Sequence, residues 1–143
     1  MYSKQTGFTL LEMLVVLVII GLLAGLVGPR FFSHAEGAKV KTANTQIKMI
    51  KGALETMQLD IGRFPTEEEG LELLYRSPTD ETLKTLWHGP YLDQDLPLDP
   101  WNRPYHYQVP GQEQRPFALY SLGADGQPGG SEYDADLGFL PPR

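Results

Sequence analysis

The 143-residue chain contains no cysteine. That removes disulfide frameworks, thiolate metal sites and cysteine catalysis, and it leaves the redox compartment unmarked. Positive charge is scarce where a nucleic-acid partner would need it. Up to Lys51, six basic residues stand against two acidic ones, but beyond Lys51 six stand against sixteen. The larger part of the chain therefore cannot supply the field that phosphate binding requires, and nucleic acid is not an expected partner. His34, His88 and His106 are scattered without metal-ligand spacing, so no zinc site is expected. Ser121 lacks the flanking glycines of a nucleophile elbow, and the glycines from 123 to 130 precede no helix that would receive a phosphate. No enzyme activity is expected.

What the sequence does contain is one long apolar run. From Phe8 to Val27 it reads FTLLEMLVVLVIIGLLAGLV, twenty residues with a single charge, enough to span a bilayer at about 1.5 Å per residue. A secretory signal would be shorter and end in small residues, whereas Pro29, Arg30 and two phenylalanines follow here. Glu12 is the exception inside the run. A carboxylate there costs on the order of 3 kcal/mol on insertion, so it either stays wet near the interface or meets a cation. A free amine on a neighbouring copy's helix would serve, and it would exist only if the chain were cut before Phe8.

Gly7-Phe8-Thr9-Leu10-Leu11-Glu12, leading into the apolar span, resembles the prepilin peptidase site of the type IV pilin and pseudopilin superfamily. The resemblance implies that residues 1–7 are a leader peptide removed after Gly7. Phe8 would be N-methylated, and Glu12 would pair with an adjacent subunit's terminus in a fibre. It also implies an inner-membrane protein with residues 1–7 in the cytoplasm and residues 29–143 in the periplasm. The charges alone do not, because Arg30, Lys39 and Lys41 follow the span, against the positive-inside tendency.

Beyond the span, Val40, Ala43, Ile47, Ile50, Leu54, Met57 and Ile61 recur at alternating spacings of three and four. This is the stripe of an amphipathic helix, expected to pack on a small sheet of the same domain rather than in a coiled coil. Pro29, with Gly21, Gly25 and Gly28 before it, predicts a bend or local melting between the span and this helix. Gly62 should end the helix, and Thr66 with Glu69 forms a capping box for a short helix through Leu71, Leu73, Leu74 and Tyr75. The acids at 67 to 69 suit a helix start, not a metal site.

Five prolines between 77 and 104 predict turns and one helical piece from Leu83 to Trp87. Tyr105–Val109 and Phe117–Ser121 alternate about Pro110-Gly111, which predicts an antiparallel hairpin. Trp101, Tyr105, Tyr107, Phe117 and Leu119 are the expected core contributors. The fold class is thus α+β: a long N-terminal helix, transmembrane then amphipathic, packed on a small antiparallel sheet of two or three strands.

Residues 121–138 gather Asp125, Glu132, Asp134 and Asp136 among five glycines. The composition suits a flexible acidic loop and a calcium site equally, and the spacing is not that of an EF-hand. Tyr-Ser-Leu-Gly-Ala-Asp-Gly from Tyr120, with Asp-Ile-Gly-Arg-Phe-Pro-Thr from Asp60 and Asp99-Pro100-Trp101, is similar to the major pseudopilins of type II secretion systems. That similarity covers nearly the whole chain and implies bound Ca²⁺. Its ligands would be Asp125, Asp134, Asp136 and the Leu122 carbonyl, with Ser131 and Glu132 as further members, the latter where the family offers a shorter acid. The implied function is the major subunit of a periplasmic fibre that drives folded proteins outward. The implied partners are copies of itself, minor pseudopilins, prepilin peptidase, an inner-membrane assembly platform, the exported cargo and the lipid bilayer. A type IV pilin is the nearest rival, though its usual C-terminal cysteine pair is missing. A membrane-tethered calcium-dependent receptor or hydrolase is the rival from another class.

Overall fold

The computed structural model describes residues 7–142. The predicted leader therefore lies, apart from Gly7, outside the described residues. One helix, α1, runs Leu10–Ile61. Packing divides the chain after Ala35 into a first unit ending there and a second beginning at Glu36.

In the first unit the helix from Leu10 to Val27 is apolar on all sides apart from Glu12, and nothing in the unit covers it: Leu10, Leu17 and Leu22 are 92%, 68% and 71% exposed. The local melting expected at Pro29 does not occur, since α1 passes through it. Proline removes one hydrogen bond and costs about 3 kcal/mol, but helix propagation is cooperative and the turns on either side hold.

The second unit uses the predicted stripe. Ala43, Ile47, Ile50, Leu54 and Met57 are buried, with Val40 and Ile61 half-buried at its ends. The helix stops at Gly62, whose φ of +85° is the left-handed conformation of a C-terminal cap, its N–H donating to the Gln58 carbonyl at 2.8 Å. The capping box closes as read: Thr66 N–H donates to Glu69 Oε2 at 2.8 Å and Glu69 N–H to Thr66 Oγ1 at 3.3 Å. The short helix predicted after it forms as 3₁₀ rather than α. Gly70 sits at φ +57°, which breaks the right-handed winding after one turn, and a 3₁₀ segment, Gly70–Leu74, follows. It still buries Leu71, Leu73 and Leu74. The predicted helical piece is α2, Glu81–Leu86, capped by Asp80 Oδ1 accepting from Leu83 N–H at 2.8 Å.

The sheet has three antiparallel strands in the order β1-β2-β3: His106–Gln108, Ala118–Ser121 and Leu137–Phe139. Tyr107 stands opposite Leu119, and Leu119 opposite Phe139. The hairpin is the one predicted; β3 follows the glycine-rich loop. All four residues of β2 are buried, as befits the centre of the sheet, and Leu119 meets the α1 stripe in one cluster with Ile50, Leu54 and Met57. Tyr105, Phe117 and Leu119 are core residues. Trp101 and Tyr107 are only half-buried, because each keeps a polar end in use: Trp101 Nε1–H donates to Glu36 Oε2 at 3.0 Å and Tyr107 O–H to the Pro65 carbonyl at 2.8 Å.

Candidate functional site

Two places carry the predicted site residues, one in each unit. At the start of the first, Gly7 and Phe8 precede α1 and are exposed, Phe8 by 81%, as a processing site must be. Glu12 lies in the first turn of α1, where the helix dipole favours a carboxylate. Its Oε2 accepts the Thr9 N–H at 2.8 Å, and Thr9 Oγ1 accepts the Glu12 N–H at 3.1 Å. Glu12 is thus half of a reciprocal capping box, so within one chain its carboxylate is satisfied locally. The partner is Thr9, which the sequence analysis passed over although the T-x-x-E spacing that revealed Thr66 and Glu69 is repeated here.

In the second unit the loop between β2 and β3 is shaped by backbone bonds. Ala124 N–H donates to the Tyr133 carbonyl, Asp134 N–H to the Ser131 carbonyl and Asp136 N–H to the Gly129 carbonyl, all within 3.1 Å. Gly130 has φ +80°, and a Cβ there would run into the Asp134 carbonyl, so only glycine permits this closure. Asp125 Oδ1 accepts from Gln127 N–H at 3.0 Å and Asp136 Oδ2 from Gly129 N–H at 2.9 Å. Asp125, Glu132 and Asp134 are exposed, while Leu122 and Asp136 are half-buried. Among the described residues no three acidic or histidine side chains converge as they would around a metal. One oxygen points to what the loop would hold: Asp136 Oδ1 is buried with no hydrogen-bond partner. A buried carboxylate oxygen without a donor is costly, and an all-oxygen set of carboxylates and carbonyls is the chemistry of a hard cation such as Ca²⁺.

Beneath this loop sits a buried polar cluster that sequence reasoning missed. Asp99, 3% exposed, accepts from Trp101 N–H at 3.0 Å, Arg103 N–H at 2.9 Å and Ser121 Oγ at 2.6 Å. Arg103 in turn donates from Nη2 to the Gly123 carbonyl and lies under Gly126, where a Cβ would meet its guanidinium at 2.8 Å. The Asp99-Pro100-Trp101 turn thus fixes both the start of the loop and, through Glu36, the adjacent turn of α1. Lys39 at 2.8 Å and the Trp101 indole N–H both hold the Glu36 carboxyl below its ordinary pKa. His34 and His88 are exposed, and His106 stacks on Tyr120 with ring centres 5.1 Å apart.

A single membrane-length helix leading into a small α+β unit with a three-stranded sheet is the type IV pilin-like fold. The solved major pseudopilin from the type 2 secretion system of enterohaemorrhagic Escherichia coli shares it, with a TM-score of 0.56 and 28% identity over 75% of this chain and 90% of that one. The family profile described as type II secretion system protein G matches residues 30–139, and that of the prokaryotic N-terminal methylation motif matches residues 2–28. The type II secretion system core protein G of Pseudomonas aeruginosa is 47% identical over 135 residues, covering 94% of each chain. That of Vibrio cholerae is 42% identical, covering 94% of this chain and 91% of its own. The chain belongs to the type II secretion protein G family, the major pseudopilins.

Proposed function

We propose that the chain is the major structural subunit of a periplasmic pseudopilus, anchored in the inner membrane by residues 8–28 and polymerised through them. The observation that carries this is the first unit of α1, whose membrane-length apolar window is not buried at all within the chain. Bilayer lipid covers that surface before assembly, and neighbouring copies cover it afterwards. Prepilin peptidase cuts between Gly7 and Phe8, and the liberated, methylated amine of one copy pairs with Glu12 of another. Glu12 must then exchange its Thr9 contacts for the incoming amine, which keeps the carboxylate compensated in both states. Fibre growth from an inner-membrane platform, with minor pseudopilins at its tip, moves folded cargo outward; the role is mechanical, not catalytic.

The loop 121–138 would hold Ca²⁺ through Asp125, Asp134, Asp136 and the Leu122 carbonyl, with Glu132 and Ser131 nearby. The unpaired Asp136 oxygen supports this reading. The ion would cross-brace a loop rich in like charge, while Arg103 anchors its first turn.

Mass spectrometry of the chain from membranes tests processing: the expected N-terminus is methylated Phe8. Glu12→Val should abolish sheared fibre while leaving the processed chain in the membrane, and fibre formed at the unsubstituted level sinks the pairing.

A further inference from the structure

We propose that Arg30, Phe31, Phe32 and His34 form a collar that binds the phosphate of anionic phospholipid where α1 leaves the bilayer, fixing the depth of the unassembled chain. This rests on the membrane-anchor reading above and deepens it by naming the lipid chemistry and the residues that meet it. At about 1.5 Å per residue, the helix rises about 30 Å from Leu10 to Arg30, the thickness of the hydrocarbon core. Arg30 therefore reaches the headgroup layer when Leu10 lies at the opposite boundary. α1 runs unbroken through both positions.

The collar has no counter-charge of its own. The sequence holds no acidic residue between Glu12 and Glu36, and Arg30 forms no ion pair among the described residues. Glu36 is already taken, by Lys39 at 2.8 Å and the Trp101 indole N–H at 3.0 Å. Arg30 and His34 are both exposed, and at four residues' separation they stand about 40° apart around the helix, close enough to donate to one anion. Phosphodiester oxygens lie at this depth, and a planar guanidinium donates to two of them at once. Phe31 and Phe32, 70% and 71% exposed, meet edge to face with ring centres 6.4 Å apart. They leave the helix about 100° and 200° round from Arg30, so the rings occupy the flanks that the cation leaves free. Apolar rings beside a span enter the acyl edge, while a long cation snorkels to the headgroups. The collar continues the surface of the span without a break, and the lipid that covers one covers the other.

The test uses the full chain reconstituted in vesicles of phosphatidylcholine with a minority of phosphatidylglycerol, read by the spin-labelled lipid held at the protein surface. Spin-labelled phosphatidylglycerol should be held in preference to spin-labelled phosphatidylcholine. Arg30→Gln should lower that preference about fivefold, the effect of one cation at an anionic lipid surface, and Arg30→Lys should keep most of it. Lys41→Gln should leave it unchanged, because about three turns of helix place that charge beyond a Debye length from the collar. The chain has no cysteine, so Gly28→Cys reports depth: its labelling by a water-soluble maleimide should quicken severalfold when Phe31→Ala and Phe32→Ala are added. No preference in the parent, an equal loss from Lys41→Gln, or labelling indifferent to the rings overturns the collar. Phe31→Cys cross-linking to a second copy with no lipid held back overturns it in favour of a contact between copies. A chain that does not float with the vesicles overturns the anchor reading beneath it.

Discussion

The two halves of α1 are built from the same helical winding and meet opposite fates. From Glu36 to Ile61 one face is buried by the chain's own sheet and loops, and the other carries lysines, glutamines and threonines. From Leu10 to Ala35 nothing is buried by the chain. Each exposed leucine, valine or isoleucine there forgoes about 1.5–3 kcal/mol of burial. The first half therefore finds no cover within the chain, while the second buries its apolar stripe there. One helix thus joins a segment that the chain leaves uncovered to a segment whose apolar face the chain itself buries.

The largest test of that contrast is a matched pair of truncations. Leu54, fully buried, should lose about 3–5 kcal/mol of second-unit stability on Leu54→Ala. Leu17→Ala, in the first half, should stay within about 0.5 kcal/mol. Both are measured by denaturation of the full chain in detergent, followed by the fluorescence of Trp87 and Trp101. Equal losses would break the comparison. Next, Asp99→Ala should cost about 3 kcal/mol in the same assay, because it leaves three donors buried and unmatched. Ser121→Ala, removing one of those donors, should cost only about 1 kcal/mol.

Calcium at a hundredfold excess over its dissociation constant should add about 2.7 kcal/mol. The effect should vanish in Asp136→Ala and leave the first unit untouched. No difference in melting between chelator and calcium would remove the metal from the loop. The smallest effect concerns Glu69, which Arg63 grips through two 2.7 Å contacts, lowering its pKa from 4.5 to about 2. A depressed carboxylate stabilises the fold above its unfolded pKa, and that stability drains as pH falls from about 4.5 towards 2. Glu69 keeps some exposure to solvent, so screening reduces the contribution to about 1 kcal/mol. Glu69→Gln should therefore melt earlier than the parent at pH 7 and together with it near pH 2.

Much of this was legible in the sequence because it is written at short range. The span, the α1 stripe, the Gly62 stop, the Thr66–Glu69 box and the β1–β2 hairpin each follow from periodicity or from a residue acting on its own turn. The misses have a common cause. Gly70 cut a helix short because a positive φ cannot be read from a glycine's identity. Pro29 was absorbed because the turns around it cooperate. Trp101 left the core for a bond to a carboxylate 65 positions away. Asp99 looked like a turn former until its buried contact with Ser121 appeared.

The sequence by itself determined that the chain has a membrane-length helix with an acid in its first turn, a processing motif before it and an acid-rich glycine loop near its end. Composition and spacing act locally and need no partner to be read. Only the tertiary structure decided which half of the helix finds cover within the chain. It also decided that Asp99 and Arg103 anchor the loop and that Asp136 keeps a buried oxygen unpaired. Those facts depend on which distant residues the fold brings within a few ångströms, and burial, unlike periodicity, is a property of the packed whole.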